Sequence, residues 1–192
     1  MKAPPYCGPP AGDPVSSRVS TAATRRGVAF VGVGWMGLAW SPRGLAFIGP
    51  PVRTSEAAVQ WLDAFSTGPE TMTVEAATEP VAAVLTTYFA GEPVHYPGPI
   101  DLAGLSPFAV QVLTEVRRIP RGETRTYGWI AGRVGMRRAA RAAGRAIGAN
   151  PLAPLIPCHR VIGANGRLTG YRWGVQLKRW LLTLEGVSPL GE

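Results

Sequence analysis

Three short apolar runs, at residues 28–33, 36–40 and 45–48, are separated by Gly34 and by Ser41-Pro42-Arg43-Gly44, a pattern that predicts an antiparallel meander. The spacing then becomes helical. Trp61, Leu62 and Phe65 share one stripe of a helix over 56–65, and Val81, Val84, Leu85 and Tyr88 share one stripe of a helix over 80–89. Residues 91–105 are rich in Pro and Gly and read as a connection. Ser106 before Pro107 marks the start of a helix over 107–118, with a capping hydroxyl ahead of a proline at the first helical position. Two shorter helices follow, over 127–134 and 137–147, with Gly135 between them and a stop near Gly148 and Asn150-Pro151. Such a pair suggests a helix-turn-helix. After Val161-Ile162, Asn165-Gly166 predicts a hairpin turn, and residues 175–184 form a closing amphipathic helix that stops at Glu185-Gly186. The fold class is therefore α/β of the α+β kind. It comprises a Pro/Gly-rich disordered tail (1–27), a small α/β domain (28–95), a linker (96–105), a mainly helical domain (106–187) and a short tail (188–192).

Composition narrows the setting. A chain of 192 residues, 46% hydrophobic, can bury a real core, and no stretch approaches the apolar length of a membrane span. The N-terminal stretch lacks the hydrophobic segment of a secretory signal, and two cysteines, Cys7 and Cys158, make no disulfide framework; both point to the cytoplasm. With His95 and His159 as the only histidines, neither a structural zinc site nor any other cofactor is expected.

Charge is segregated. From residue 111 to residue 185 the chain carries fourteen Lys or Arg against three acids, a net of +11, while the remainder is net acidic. A polyanion is the natural partner for that half. Within the predicted second helix Arg137, Arg141 and Arg145 recur at four-residue spacing, with Arg138 beside them. Between them stand only Ala and Gly, which let a backbone approach a partner closely, and no acid occurs from 127 to 147. A solvated helix face would mix signs. An anionic membrane is the competing partner, but no long amphipathic helix combines this charge with exposed Trp or Leu.

The candidate chemistry lies in Pro157-Cys158-His159-Arg160. The proline and the apolar flanks favour an extended segment that holds the thiol in a dry place. Dryness alone opposes a thiolate, so a reactive Cys158 needs a base or a positive charge nearby, and His159 and Arg160 offer both. Neighbours on an extended chain point to opposite sides, which favours a water relay between Cys158 and His159, with a carboxylate behind the imidazole to fix its tautomer. A lone cysteine packed in a core is the plain alternative.

With the run IPCHRVIGANGRLTGYRWG and the upstream TYGWIAGRVGMRRAARAAGRAIGANP in view, the chain resembles the O6-alkylguanine-DNA alkyltransferase family, weakly from about residue 28 and closely from Phe108 onward. The resemblance implies a ribonuclease H-like small antiparallel sheet in the N-terminal domain and a helix-turn-helix catalytic domain after it. It implies direct-reversal DNA repair: a single, irreversible transfer of an alkyl group from O6-alkylguanine in duplex DNA, and also from O4-alkylthymine, to Cys158. His159 would be the water-mediated base and Glu185 the carboxylate that orients it. Tyr127 would donate to the departing guanine, and Asn150 would tie the helix pair to the active segment. Arg141 would fill the stack when the damaged nucleotide flips out, with Arg137, Arg138 and Arg145 on the same basic face. Ala139, Ala140 and Gly144 would meet the minor groove. The backbone at Val161 and the segment of Tyr171 and Arg172 would line the base pocket, with Trp173, where some members carry Gly, narrowing it toward small alkyl groups. The family's occasional zinc ligands have no counterpart beyond His95. The implied partner is double-stranded DNA met by a monomer, with cooperativity on DNA left open. The other readings are a non-catalytic lesion sensor, which Cys158 argues against, a helix-turn-helix regulator, and a cysteine hydrolase, for which adjacent Cys and His are badly placed.

Overall fold

The computed structural model describes residues 4–8, 23–69, 71–74 and 79–188, arranged as two compact units, Met1–Gly104 and Leu105–Glu192. In the first unit, β1 (Arg25–Phe30), β2 (Trp35–Ser41) and β3 (Gly44–Ile48) form the expected antiparallel meander. A two-residue strand, β4 (Met72–Thr73), pairs parallel with the outer edge of β1 and gives the order β3-β2-β1-β4. Nothing in its apolar pattern announced it. Helix α1 (Ser55–Phe65), capped by Thr54 Oγ1 accepting from Ala57 N at 3.2 Å, packs on β1 and β2 through Ala58, Trp61, Leu62 and Phe65. Gly37 makes that approach possible, because a Cβ there would lie 2.7 Å from Leu62 Cγ. Helix α2 (Pro80–Phe89) begins where its proline allows, capped by Glu79.

Two sequence expectations are corrected here. The strand β1 begins at Arg25, within the stretch assigned to the disordered tail. Trp61 Nε1 donates to Gly8 O at 3.2 Å, so residues 4–8 also lie against the unit, while 9–22 fall outside the described residues. The connection at 96–105 is anchored, not free. Asp101 is buried, accepts from Ser41 Oγ at 2.5 Å and from Arg43 Nε at 3.1 Å, and its N–H donates to Leu45 O at 2.8 Å.

The second unit opens with α3 (Pro107–Arg117), whose cap Ser106 Oγ accepts from Ala109 N at 3.2 Å. Next come β5 (Arg125–Thr126), α4 (Tyr127–Arg133) and α5 (Ala140–Gly148). The three helices pack on one another through Val112, Leu113, Val116, Ile130, Ala131, Ala143 and Ile147, all buried. A single 3-10 turn, Cys158–Arg160, leads into β6 (Val161–Ile162), and α6 (Val175–Leu184) closes the unit. Strand β6 pairs parallel with β5, Arg125 opposite Val161 and Thr126 opposite Ile162. Asn165-Gly166 does form a turn, with Gly166 N donating to Gly163 O at 3.0 Å, but β6 finds its strand partner in β5 and not across a hairpin. Among the described residues no helix is long and apolar enough to cross a membrane.

Candidate active site

The β5–β6 pairing is what assembles the site. Tyr127 begins α4 directly after β5, and Cys158 stands three residues before β6, so two parallel strands of two residues each draw the phenol and the thiol to one wall. A partly open cavity of about 40 Å³ is lined there by Tyr127, Gly144, Asn150, Cys158, Tyr171, Arg172 and Trp173, among others.

The segment at Cys158 is not extended. Pro157 adopts φ −81°, ψ 63°, and Cys158, His159 and Arg160 complete one 3-10 turn closed by Arg160 N donating to Pro157 O at 2.9 Å. The proline blocks a helical hydrogen bond but its φ still suits a turn, so the apolar flanks become buried anchors, not a strand. Asn150 fastens this turn to the end of α5: its Nδ2 donates to Ile156 O at 2.8 Å and to Cys158 Sγ at 3.0 Å, and its Oδ1 accepts from Leu152 N at 3.0 Å. Burial pushes the Cys158 thiol up, and the Asn150 amide, the Lys178 ammonium and the Arg172 guanidinium pull it part of the way back. The resting group is therefore a protonated thiol.

Behind it, His159 Nε2 lies 2.9 Å from Glu185 Oε1, and both side chains are fully buried. Glu185 sits at the C-terminal cap of α6, where Gly186 turns the chain at φ +81°, a left-handed conformation that glycine adopts without a Cβ penalty. Arg160 clamps the same carboxylate with Nε to Oε2 at 2.8 Å and Nη2 to Oε1 at 2.9 Å, and donates from Nη1 to Ile119 O at 2.5 Å. These donors hold the Glu185 carboxyl far below the usual carboxylate range, while burial keeps His159 below its ordinary value and neutral. With Glu185 ionised, Nε2 is the donor and Nδ1 carries the lone pair. Arg160, read from sequence as a charge for the thiol, serves the carboxylate instead.

Lys178 was overlooked by sequence reasoning. Its position within the apolar stripe of α6, between Leu177 and Leu181, was the available signal. It is buried, its Nζ donates to Val161 O at 2.6 Å and Thr169 O at 3.2 Å, and burial lowers it to about 8. Thr169 in turn donates from Oγ1 to the Tyr127 hydroxyl at 3.2 Å, and Tyr127, half-buried, is raised by burial. Val161 therefore faces Lys178 through its carbonyl, inside β6, and is absent from the cavity wall where Tyr171, Arg172 and Trp173 stand. Trp173 is buried and meets Tyr171 edge-on at 5.8 Å.

The basic face is shorter than its spacing suggested. Helix α5 starts at Ala140, with Ala139 as its cap, so Arg137 and Arg138 stand exposed on the preceding turn and only Arg141 and Arg145 share the helix. Ala139 provides no side-chain acceptor, and propensity alone did not reveal that the helix would start so late. Gly144 lies on the inner side, where a Cβ would sit 3.6 Å from Tyr127 Cδ1. His95 is exposed, and among the described residues no group of three His, Cys, Asp or Glu side chains could hold a metal.

Residues 107–187 match the family described as the 6-O-methylguanine DNA methyltransferase, DNA binding domain. A methylated-DNA–protein-cysteine methyltransferase of Bacillus subtilis, the inducible one, is 38% identical over 143 residues, 74% of this chain and 79% of the relative. The chain belongs to the methylated-DNA–protein-cysteine methyltransferase family. A family member of Mycobacterium bovis is 52% identical over 101 residues, 53% of this chain; the match spans 61% of that relative's length. The crystal structure of Mycobacterium tuberculosis OGT in complex with DNA aligns with a TM-score of 0.68 at 36% identity, covering 84% of this chain and 92% of that one. The mixed α/β architecture is thus the family's own.

Proposed function

We propose that this protein repairs DNA by taking an alkyl group from O6-alkylguanine onto Cys158, once per molecule. The observation that carries the reading is the Asn150 amide at 3.0 Å from a buried cysteine sulfur, in a turn whose next residue is a neutral histidine held by a clamped carboxylate. The thiol proton passes, through a water, to His159 Nδ1, and the imidazolium so formed is stabilised by Glu185. The sulfur forms a bond to the alkyl carbon as the bond from that carbon to O6 breaks, and the electron pair stays on the guanine. Tyr127, whose raised value keeps it a phenol at neutral pH, donates to the departing base. The product is a thioether, which no group in this cavity can reverse.

A lesion inside a duplex must leave the stack to reach such a cavity. Arg141, exposed on α5, fills the gap; Arg137, Arg138 and Arg145 neutralise phosphates; Ala139 and Ala140 allow close approach to the minor groove, with α4 and α5 acting as a helix-turn-helix. Double-stranded DNA is the partner, the chain acts as a monomer in the cytoplasm, and Trp173 favours small alkyl groups. Incubation with a duplex bearing one O6-methylguanine, followed by peptide mass analysis, tests the reading: one methyl on Cys158 per protein molecule supports it, and an unmodified Cys158 in the presence of bound lesion DNA reduces the protein to a sensor.

A further inference from the structure

Thr169 is an exposed residue of the loop that leaves β6, yet two of its atoms are fixed. Its carbonyl accepts from the buried Lys178 ammonium at 3.2 Å, and the same ammonium donates to Val161 O at 2.6 Å, so one cation pins both ends of the segment from β6 to Thr169. Between those ends the loop closes on itself. Gly163 N donates to Arg167 O at 3.0 Å, Gly166 N to Gly163 O at 3.0 Å, and Arg167 N to Asn165 Oδ1 at 3.2 Å. The Thr169 hydroxyl is thereby delivered 3.2 Å from the Tyr127 hydroxyl, to which it donates. Tyr127 has little freedom of its own, because α4 starts at it directly after β5 and Lys178 Nζ stands 5.8 Å from its ring centroid. A phenol O–H lies in the plane of its ring, where it has two orientations, and a donor that occupies one leaves the proton to the other.

We propose that Thr169 is a positioning residue for alkyl transfer: by donating to the Tyr127 oxygen it turns the phenol proton toward the departing base. The inference rests on the transfer to Cys158 argued above. As the bond from the alkyl carbon to O6 breaks and its electron pair stays on guanine, the hydrogen bond from the phenol to the base tightens and negative charge builds on the phenol oxygen. The Thr169 hydroxyl then donates to a more basic oxygen than it meets at rest. Its contribution is larger in the transition state than in the bound complex, and so it belongs to the rate of transfer and not to the affinity for DNA. The electrostatics agree with that direction. Burial pushes the phenol up, the Thr169 hydroxyl draws it back, and the Cys158 sulfur adds to the rise. Thr169 touches no reacting atom and acts only through Tyr127.

The test uses the full chain and single-turnover transfer from an O6-methylguanine duplex, followed by mass of the Cys158 peptide over a range of protein concentrations. The proteins are the wild type, Thr169→Val, Thr169→Ser, Tyr127→Phe and the double variant of Thr169→Val with Tyr127→Phe. Thr169→Val keeps the shape and removes the hydroxyl. It is expected to lower the limiting rate about two- to tenfold, the size of one hydrogen bond, and to leave the half-saturating concentration within about a factor of two. Thr169→Ser, which keeps the donor, should restore most of the rate. The double variant should be no slower than Tyr127→Phe alone, because the hydroxyl acts only through the phenol. An equal loss from Thr169→Val with and without the phenol overturns the inference and makes Thr169 a structural residue or a DNA contact. An unchanged limiting rate, or a loss confined to the half-saturating concentration, overturns it too, as does a Tyr127→Phe protein as fast as the wild type. Each of these leaves Cys158 as the acceptor. No transfer to the wild type removes the repair reading and this inference with it.

Discussion

The Lys178 ammonium donates to the Val161 carbonyl at 2.6 Å and so joins the closing helix to the strand that follows Cys158. The same ammonium reaches the Thr169 carbonyl, and the Thr169 hydroxyl donates to Tyr127, so one cation ties β6 to the phenol.

Lys178→Met should slow methyl transfer on the order of tenfold at neutral pH, because the sulfur loses a nearby positive charge. It should also change the pH dependence of stability. The ammonium falls from 10.5 to about 8 on folding, so the unfolded chain binds the proton more tightly and stability rises as pH increases above about 8, by about 1 kcal/mol per pH unit. The cysteine, raised from 9.0, works in the opposite direction only above that value. Denaturant unfolding at pH 7.5 and 9 should show the rise in wild type and its loss in Lys178→Met; parallel slopes would remove Lys178 from the titration.

Glu185→Gln tests the carboxylate. It removes the charge opposite the part-buried Arg160 guanidinium, at a cost of about 3 kcal/mol, and it frees the imidazole to take either tautomer. Because the folded carboxyl is depressed below the ordinary 4.5, its contribution is complete above that pH and is lost as the pH falls below it. The wild type should therefore lose stability more steeply between pH 4.5 and 3 than the variant does. Equal acid slopes would mean that the ion pair persists equally in the unfolded chain.

Much of this was legible in the sequence because local signals and packing agree. Pro80 and Pro107 start helices that tertiary contacts then retain, and α6 follows its apolar spacing from Val175 to Leu184. The differences arise where packing overrides local preference. Pro157 and its apolar neighbours suit a strand in isolation, but Asn150 bonding to Ile156 O and the sulfur holds them in a turn. Arg137 and Arg138 have good helix propensity, yet Met136 N donates back to Ala131 O at 2.8 Å and closes α4, which delays α5 to Ala140. Lys178 stands on the apolar stripe of α6 between Leu177 and Leu181, but its carbonyl partners, Val161 and Thr169, lie 17 and 9 residues away and meet it only through the folding of the chain.

Arg141→Ala should slow repair in duplex DNA far more than reaction with free O6-benzylguanine, since the free base needs no flipping. Tyr127→Phe should impair both, because a donor to the leaving group acts in the chemical step. Stopped-flow rates on the two substrates separate the roles, and equal losses for Arg141→Ala on both would place that side chain elsewhere.

Alkylation should mark the used protein. A methyl on Cys158 is added where the Asn150 amide already lies 3.0 Å from the sulfur, and overpacking of that kind costs about 1 to 3 kcal/mol. Mass-verified methylated protein is expected to melt below the free-thiol form in the same buffer; an equal or higher melting temperature would show that the cavity has room for the group.

The central claim is that Cys158 is the acceptor, and intact-mass and peptide analysis after incubation with excess O6-methylguanine duplex tests it most directly. The account predicts one added methyl per molecule, located on Cys158, a reaction that stops at one equivalent, and no transfer with Cys158→Ser while DNA binding stays within about a factor of a few. Methyl found on another residue, or transfer that persists in Cys158→Ser, would contradict it.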